Sequence, residues 1–499
     1  MNLRELVRSI EQYCDTSALF RKPSFNVPVR GISCNSKTVQ KNFVFVAVQG
    51  ARKNGNVFIQ EALHRGASAI VFKPAAGLRP SVPRYSSQKT KAVFIEVTDT
   101  RKAAARLAAE FYHHPSSKMK ITGITGTNGK TTVSYLIEAI LKESGATPAV
   151  IGTVNYRFQD CLIPSKNTTP GPFELQAMFD TMARRGVDSV VMEVSSHALD
   201  QERCDGIDFF SAVFTNLTHD HLDYHQTLKK YFHAKSKLFK RLSSHAGAVI
   251  NNDDPYGRKL KRLTQAKVIT YGIERKSDVM ARDISMDMGS TRFTLLVPGA
   301  KMQIKSALIG RHNVYNILAA VAWGIHAGLD VRVMKQALKK FKSVPGRLER
   351  VNCDRDICIF VDYAHTDDAL KNVIGALRQV AQRKIVVVFG CGGERDKAKR
   401  PKMGRIASLL ADYVIITSDN PRSEDPALIL DDITDGITKD NYCVVADRCE
   451  AIKKALSIAG AKDIVLVAGK GHEDYQILKN TVVAFDDRKV IKKCLQLMN

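Results

Sequence analysis

Short runs of β-branched and aliphatic residues alternate along the chain with longer stretches whose apolar positions recur every three to four residues. That alternation is the signature of strand–helix–strand units and mainly parallel sheets. The apolar runs predict strands at 43–48, 69–72, 92–97, 120–124, 189–193, 212–215, 248–250, 357–361, 385–389, 413–417 and 464–468. The amphipathic stretches predict helices at 101–112, 132–143, 172–185, 315–326, 331–341 and 368–382. The fold class is α/β throughout. Alternating positions at 291–297 and 302–308 predict a small antiparallel insert. Two breaks divide the pattern: one near residue 97, before a helix that runs into the turn-like His-His-Pro-Ser-Ser, and one near 344, at Ser343-Val344-Pro345-Gly346. They define units 1–97, 98–344 and 345–499.

The length of 499 residues agrees with that division, at roughly 150 residues per domain. With 44% hydrophobic and 25% charged residues the chain reads as globular, which excludes a disordered or fibrous protein. No apolar run approaches the ~18 residues of a membrane span. The start, MNLRELVRSIEQYC, mixes both charge signs into a helical pattern where a signal peptide needs an apolar core, so the expected compartment is the cytoplasm. The 10 cysteines are scattered, and the closest pair of note, Cys353 and Cys358, has no second pair to complete a metal site; they read as reduced core residues. Lys+Arg number 75 against 50 Asp+Glu, a net charge of +25. Nucleic acid, anionic membrane and polyphosphate substrates all suit such a surplus. Clusters such as Lys339, Lys340 and Lys342, or Lys397, Lys399, Arg400 and Lys402, are broken by apolar residues at helical spacing, which favours a solvated surface.

The strongest chemical signal is Gly123-Ile124-Thr125-Gly126-Thr127-Asn128-Gly129-Lys130-Thr131-Thr132, between a predicted strand and a predicted helix. Glycines let backbone N–H groups converge on phosphate oxygens, Lys130 brings charge to the β and γ phosphates, and Thr131 can hold Mg²⁺. The first glycine lies one position too early for the strict phosphate-loop pattern, yet strand, loop, Lys-Thr and helix agree on nucleotide binding. Glu193 closes a strand in Met192-Glu193-Val194-Ser195-Ser196-His197 and reads either as a Mg²⁺ ligand or as a helix-capping carboxylate. Asn216 to His225 packs His219, Asp220, His221, Asp223 and His225 together, a set suited to zinc or to one imidazole on the nucleotide's Mg²⁺. Lys235 and Lys237 follow within a helix, where a lysine is ordinarily solvated.

These segments, with Gly310-Arg311-His312-Asn313-Val314-Tyr315-Asn316, Pro345-Gly346-Arg347 and Asp362-Tyr363-Ala364-His365-Thr366, stand in the order found in the Mur ligases. The chain resembles that family from end to end, most of all its members that add the third amino acid to UDP-N-acetylmuramoyl-L-alanyl-D-glutamate in peptidoglycan precursor synthesis. The resemblance implies a central P-loop ATPase domain, a UDP-substrate-binding N-terminal domain and a C-terminal Rossmann-like domain for the incoming amino acid. It implies ATP and Mg²⁺, with Gly126, Thr127, Asn128, Gly129, Lys130, Thr131, Thr132, Asn313, Asn316, Arg347 and Asp362 at the ATP. Lys130, Glu193, His221 and Lys235 are implied as catalytic, with Lys235 carbamylated and joining Thr131, Glu193 and His221 around the metal; His219 and His225 are implied as structural. The UDP-sugar peptide is implied to meet Ser36, Asn167, Thr168, Thr169, Ser195, Gln201 and Arg203. Asn35-Ser36-Lys37 and Asn54-Gly55-Asn56 depart from the family's Asp-Ser-Arg and Asp-Gly-His, Asp367 replaces a proline, and Glu394 an aspartate.

For the third amino acid the resemblance implies Arg395, Asp419, Asn420, Pro421, Arg422, Gly469 and Glu473, and Asp-Asn-Pro-Arg marks the family's meso-diaminopimelate users. The chemistry agrees: diaminopimelate differs from lysine by a distal carboxylate, which Arg422 can fork, whereas a lysine ammonium is repelled there. The implied partners are the two small-molecule substrates, without nucleic acid or membrane insertion, and the implied state is a monomer. Rival readings are another carbon–nitrogen ligase of the superfamily, such as folylpolyglutamate synthetase or a lysine-adding relative, and a nucleic-acid-dependent P-loop ATPase.

Overall fold

The computed structural model describes residues 1–14, 25–50, 54–74, 92–479 and 481–498. Its strands form three main sheets, following one another along the chain, and a small hairpin. The first sheet is parallel, in the order Gly31–Ser33, Phe43–Val46, Ala67–Phe72 and Val93–Glu96. The second has 11 strands with Lys120–Thr125 near its middle, flanked by Ser189–Glu193 and Phe209–Phe214, both parallel to it. The third has six strands, in the order Glu349–Val351, Cys358–Asp362, Ile464–Ala468, Ile385–Phe389, Tyr413–Ile416 and Tyr442–Val444. Only its first pairing is antiparallel.

Central strands carry unbroken apolar runs because helices cover both faces. Ser189–Glu193, Gly247–Asn251, Ile385–Phe389 and Ile464–Ala468 are buried at every position. The middle sheet separates two cores, one around Val133, Ile137, Val213 and Trp323, the other around Phe179, Met192, Phe214 and Phe239. Trp323, the chain's single tryptophan, is buried and donates its indole N–H to the hydroxyls of Thr122 at 2.9 Å and Ser211 at 3.1 Å, so its helix is keyed to two adjacent strands.

The predicted antiparallel insert differs from expectation. Thr291–Val297 and Ala300–Ser306 pair antiparallel with each other, and Thr291–Val297 pairs with Val279–Met286, which runs parallel to Lys267–Gly272. The segment therefore extends the middle sheet at one edge, and Asn155–Phe158 with Cys161–Pro164 extends the other. All ten cysteines are free thiols, with Cys204, Cys391 and Cys494 buried. Among the described residues no helix is long and apolar enough to cross a membrane.

Candidate active site

Strand Lys120–Thr125 delivers the phosphate loop to the sheet's carboxyl edge, and helix Lys130–Glu143 leaves from it. Gly126 and Gly129 have φ of 148° and 88°; a Cβ on Gly126 would lie 1.9 Å from the Thr215 hydroxyl, and one on Gly129 2.4 Å from Asn316 Oδ1. Only glycine lets the chain turn here, and the turn points the helix's first N–H groups at one spot, which suits an anion. Lys130 donates to the carbonyls of Gly126 at 3.0 Å and Thr127 at 2.7 Å. Burial pushes its pKa below the ordinary lysine value, with Glu193 and Asp220 opposing.

Glu193 ends its strand fully buried and accepts from Thr153 N at 2.9 Å, Thr153 Oγ1 at 2.9 Å and Thr131 Oγ1 at 3.1 Å. The helix that follows, Ser196–Asp200, is capped by the Ser195 hydroxyl, which accepts from Ala198 N at 3.1 Å. The capping role thus falls to Ser195 and leaves Glu193 facing the phosphate loop. His221 sits in a left-handed turn, edge-on to His197 with ring centroids 5.0 Å apart, and burial pushes its pKa down to about 3. His225 is buried against the Ser196 hydroxyl at 2.9 Å.

Lys235 corrects the expectation of a solvated lysine. Helix Leu228–Lys240 turns it inward, 1% exposed, with Nζ donating to Gly126 O at 2.8 Å and lying 4.5 Å from the Tyr231 ring centroid. Burial, then the neighbouring Lys130, hold its pKa well below the ordinary lysine range. Lys237, two positions on, pairs with Glu202 at 2.7 Å.

The third sheet's unit closes over this loop. Arg347 donates from Nη2 to Thr131 Oγ1 at 3.2 Å and lies 4.6 Å over the Tyr363 ring. Asp362 accepts from Leu348 N at 2.6 Å and Ala364 N at 2.8 Å, and burial raises its pKa. Asn313 and Asn316 are joined at 3.0 Å at the start of helix Arg311–His326. These side chains line one cavity of about 460 Å³ with Lys130, Thr131, Glu193, His221 and Lys235.

Thr168 and Ser195 also line that cavity. Behind them the Thr169 hydroxyl donates to Glu193 O at 2.8 Å, and Arg203 donates to Thr169 O at 2.7 Å and to Gln201 Oε1 at 2.8 Å. Among the described residues Arg203 has no carboxylate in ion-pair range, which leaves its charge for a ligand. Asn167 is tied through its backbone to the Tyr156 hydroxyl. Ser36 is not brought to the cavity: it lies in the first sheet's unit, buried, its hydroxyl donating to Glu61 Oε2 at 2.6 Å.

A second constellation forms where loops leave the carboxyl ends of Ile385–Phe389, Tyr413–Ile416 and Ile464–Ala468, the region where ligands bind in open parallel sheets. Arg422 has a φ of 54°, its backbone is clasped by Ile477 O at 3.1 Å and Lys479 N at 2.8 Å, and its Nη1 donates to Gly393 O at 2.7 Å. Gly393 passes so close to Pro421 that a Cβ would fall 2.0 Å from its carbonyl. Asn420 Nδ2 donates to Glu473 Oε2 at 3.0 Å. Gly469, with φ 113°, leaves room for Asp419, whose Oδ2 would be 2.7 Å from a Cβ there. Arg395 is exposed beside this group.

Comparison with known proteins gives this geometry a family. Residues 28–112 match "Mur ligase family, catalytic domain", 124–324 "Mur ligase middle domain" and 346–471 "Mur ligase, glutamate ligase domain". A UDP-N-acetylmuramoyl-L-alanyl-D-glutamate--2,6-diaminopimelate ligase of Clostridium tetani is 40% identical over 498 residues, covering 99% of each chain. The protein of the same name from Bacillus cereus is 43% identical over 479 residues, covering 95% of each. The chain belongs to the Mur ligase family. A solved structure titled with the same ligase name superposes on this Mur ligase with a TM-score of 0.69 at 31% identity, covering 100% of this chain and 99% of that one.

Several residues of this Mur ligase's sites escaped the sequence reading. Thr153 supplies two of the donors on Glu193, and Asp368 Oδ2 accepts from Asn128 at 2.8 Å and Thr218 at 3.1 Å. Arg400, expected with Lys397, Lys399 and Lys402 on a solvated surface, is instead fully buried and pairs with Glu424 at 2.9 Å and Asp432 at 2.7 Å; Glu424 in turn accepts from Glu394 N, bracing the loops that carry Arg395 and Arg422. The one available signal was an arginine in an apolar helical stripe, Arg400 in Lys399–Leu410.

Proposed function

We propose that this Mur ligase adds meso-diaminopimelate to the D-glutamate of UDP-N-acetylmuramoyl-L-alanyl-D-glutamate at the expense of ATP. The names of its relatives support the reaction, and one observation supports the third substrate: Arg422 has Nη1 fixed on Gly393 O while, among the described residues, Nε and Nη2 carry no protein partner. That is a fork held ready for a carboxylate. In this reading residues 1–97 take the uridine end, 98–344 the ATP and the D-glutamate carboxylate that becomes the acyl donor, and 345–499 the incoming amino acid.

The D-glutamate side-chain carboxylate attacks the γ-phosphate, Lys130 offsets the charge that develops, and the acyl phosphate that results is attacked by the diaminopimelate amine with loss of phosphate. Arg347 and Asp362, from the third sheet's unit, close the ATP site against water. Arg203 holds a substrate carboxylate from the other side.

The donor set fits Mg²⁺, a hard cation that takes few protein oxygens and keeps water and phosphate oxygens. Thr131 and Glu193 are within hydrogen-bond reach of each other, and Lys235, its pKa lowered by burial, is chemically disposed to capture CO₂ and present a carboxylate. His221 is the fourth residue. Bound there, the cation would offset the negative charge of the phosphates. Among the described residues no three His, Cys, Asp or Glu side chains gather as a cage, so the geometry lends nothing to the zinc reading of residues 219–225.

The enzyme is read as a cytoplasmic monomer acting on small molecules. The test is ADP release with the UDP-muramoyl dipeptide and diaminopimelate, lysine or glutamate. Turnover restricted to diaminopimelate is expected; turnover with lysine, or stimulation by DNA or RNA, would overturn the reading.

A further inference from the structure

Lys470 is buried to 0% exposure in the turn that follows strand Ile464–Ala468, between Gly469 and Gly471, whose φ values of 113° and 55° admit the tight path. A Cβ on Gly471 would stand 2.7 Å from Tyr363 Cβ, so the turn is pressed into the protein and the lysine cannot reach solvent. An ammonium brings three donors, and burying it costs several kcal/mol unless charge and hydrogen bonds compensate. The partners of Lys470 are Asn420 Oδ1 at 3.3 Å and Glu473 Oε2 at 3.4 Å, with the Tyr475 ring centroid at 5.7 Å.

These contacts close a triangle. Asn420 Oδ1 accepts from Lys470 and from Ile477 N at 2.9 Å, which fixes the amide so that Nδ2 faces Glu473 Oε2. Glu473 therefore receives two donors on one oxygen, and among the described residues the other has no hydrogen-bond partner. Arg422 and Lys470, with Arg395 at the exposed edge, bring positive charge here, Asp419 and Glu473 bring negative charge, and buried Arg448 is paired with Asp487. A set carrying both signs suits a group that is itself a zwitterion, as the distal end of diaminopimelate is: its carboxylate goes to Arg422 and its ammonium to the acids.

Resting on the proposed diaminopimelate reading, we infer that Lys470 is a positioning residue for the third substrate, orienting Glu473 through Asn420 and keeping its carboxylate anionic so that it receives the distal ammonium. Without Lys470, Glu473 would face the charge of Asp419 with one fewer cation to oppose it. Burial and then Asp419 already raise the Glu473 pKa, against the opposing effects of Lys470 and Asn420. The other charged or titratable groups that interact with Glu473 are Tyr363, Tyr475 and Arg448.

The experiment compares Lys470→Met, Lys470→Arg and wild type by ADP release from pH 6.5 to 9.5, fitting KM for diaminopimelate and for ATP separately. Lys470→Met is expected to raise KM for diaminopimelate by about 10-fold at pH 7, the size of effect that follows when a charge-assisted contact to the substrate ammonium is lost or misaligned. The ratio to wild type should shrink as pH rises, because burial and Asp419 raise the Glu473 pKa and Lys470 no longer opposes them, while KM for ATP stays within about two-fold. Lys470→Arg should recover most of the loss. Taking the ratio cancels the titration of the substrate's own amines. A ratio that is flat with pH, an unchanged KM, or equal losses for both substrates would overturn the assignment. Should Lys470→Met fail to fold, Lys470→Gln, which removes the charge and keeps a donor, takes its place in the same comparison, and an unchanged KM for diaminopimelate overturns the assignment equally. If wild type uses another amino acid in place of diaminopimelate, the substrate reading fails alone, and the same ratio measured with that amino acid decides the role of Lys470.

Discussion

The side-chain amide of Asn128 donates to Oδ2 of Asp368 at 2.8 Å, joining the phosphate loop to the first turn of helix Asp367–Val380 in the third sheet's unit. The same oxygen accepts from Thr218 at 3.1 Å and Asn372 at 3.3 Å, so one carboxylate gathers the phosphate loop, the His219–His225 segment and the C-terminal unit. Asp368→Ala leaves the Asn128 and Thr218 donors without it, and charge-assisted bonds of this kind are worth about 1.5–3 kcal/mol. The expected outcome is a fall in kcat/KM for ATP of about ten-fold or more, with KM for the amino acid little changed. Steady-state ADP release at varied ATP checks it, and an unaltered ATP dependence would show the contact to be idle.

Arg422 carries the specificity prediction. Its backbone is held by Ile477 and Lys479 and its Nη1 by Gly393 O, so the guanidinium is placed before substrate arrives. Truncation to alanine removes a paired charge-assisted contact, and kcat/KM for diaminopimelate should fall by about 100-fold, roughly 3 kcal/mol. ATP binding, measured by calorimetry, should hardly move. Equal losses in both would contradict the role, as would a structure of the complex with Arg422 turned away from the amino acid.

The parts of the fold most legible in the sequence are those whose physics is local. Strands Ser189–Glu193, Ile385–Phe389 and Ile464–Ala468 fall where the apolar runs predict them, because two covered faces leave no polar positions to blur the pattern. Cys161–Pro164 gave no such signal: it is an edge strand, largely exposed and ending in proline. The continuity of Thr291–Val297 with the middle sheet depends on pairing with Val279–Met286, a long-range register that alternation alone does not encode. At the site, glycines and the Lys-Thr pair announced the phosphate loop, whereas the inward turn of Lys235 is set by which face of Leu228–Lys240 packs, and Asp368 acts across a domain junction. The burial of Lys470 has no counterpart in the sequence, since it is set by the packing of the Gly469–Gly471 turn against Tyr363 and not by neighbouring residue types.

Lys235 yields a chemical prediction. A lysine whose amine is buried beside Lys130 is held well below its ordinary pKa, which favours the neutral amine that reacts with CO₂. Enzyme equilibrated with ¹³C-bicarbonate is expected to show a carbamate carbon resonance that is absent from Lys235→Met, and Mg²⁺ should strengthen it. Lys237→Met, at the neighbouring position paired with Glu202, should keep the resonance. A spectrum identical in wild type and Lys235→Met would remove the carbamate from the proposed metal site.

Acid stability follows from the buried histidines. Burial pushes the pKa of His312 and of His365 down to about 4, against about 6.5 for an unperturbed imidazole. Between those values the unfolded chain binds protons that the folded chain does not, so stability increases with pH across this window and is lost as pH falls through it. Each such histidine costs about 1.4 kcal/mol per pH unit below 6.5 until its folded pKa is reached. For His312 the shift comes from burial alone, with no charged partner to complicate the sign. The melting temperature of wild type should therefore be nearly flat from pH 8 to 7 and fall steeply from pH 6.5 to 5. In His312→Gln the drop over that lower interval should be measurably smaller, because one of the groups that must take up a proton on unfolding is gone. An equal drop in the two proteins would place the acid sensitivity in other groups and leave His312 without part in it.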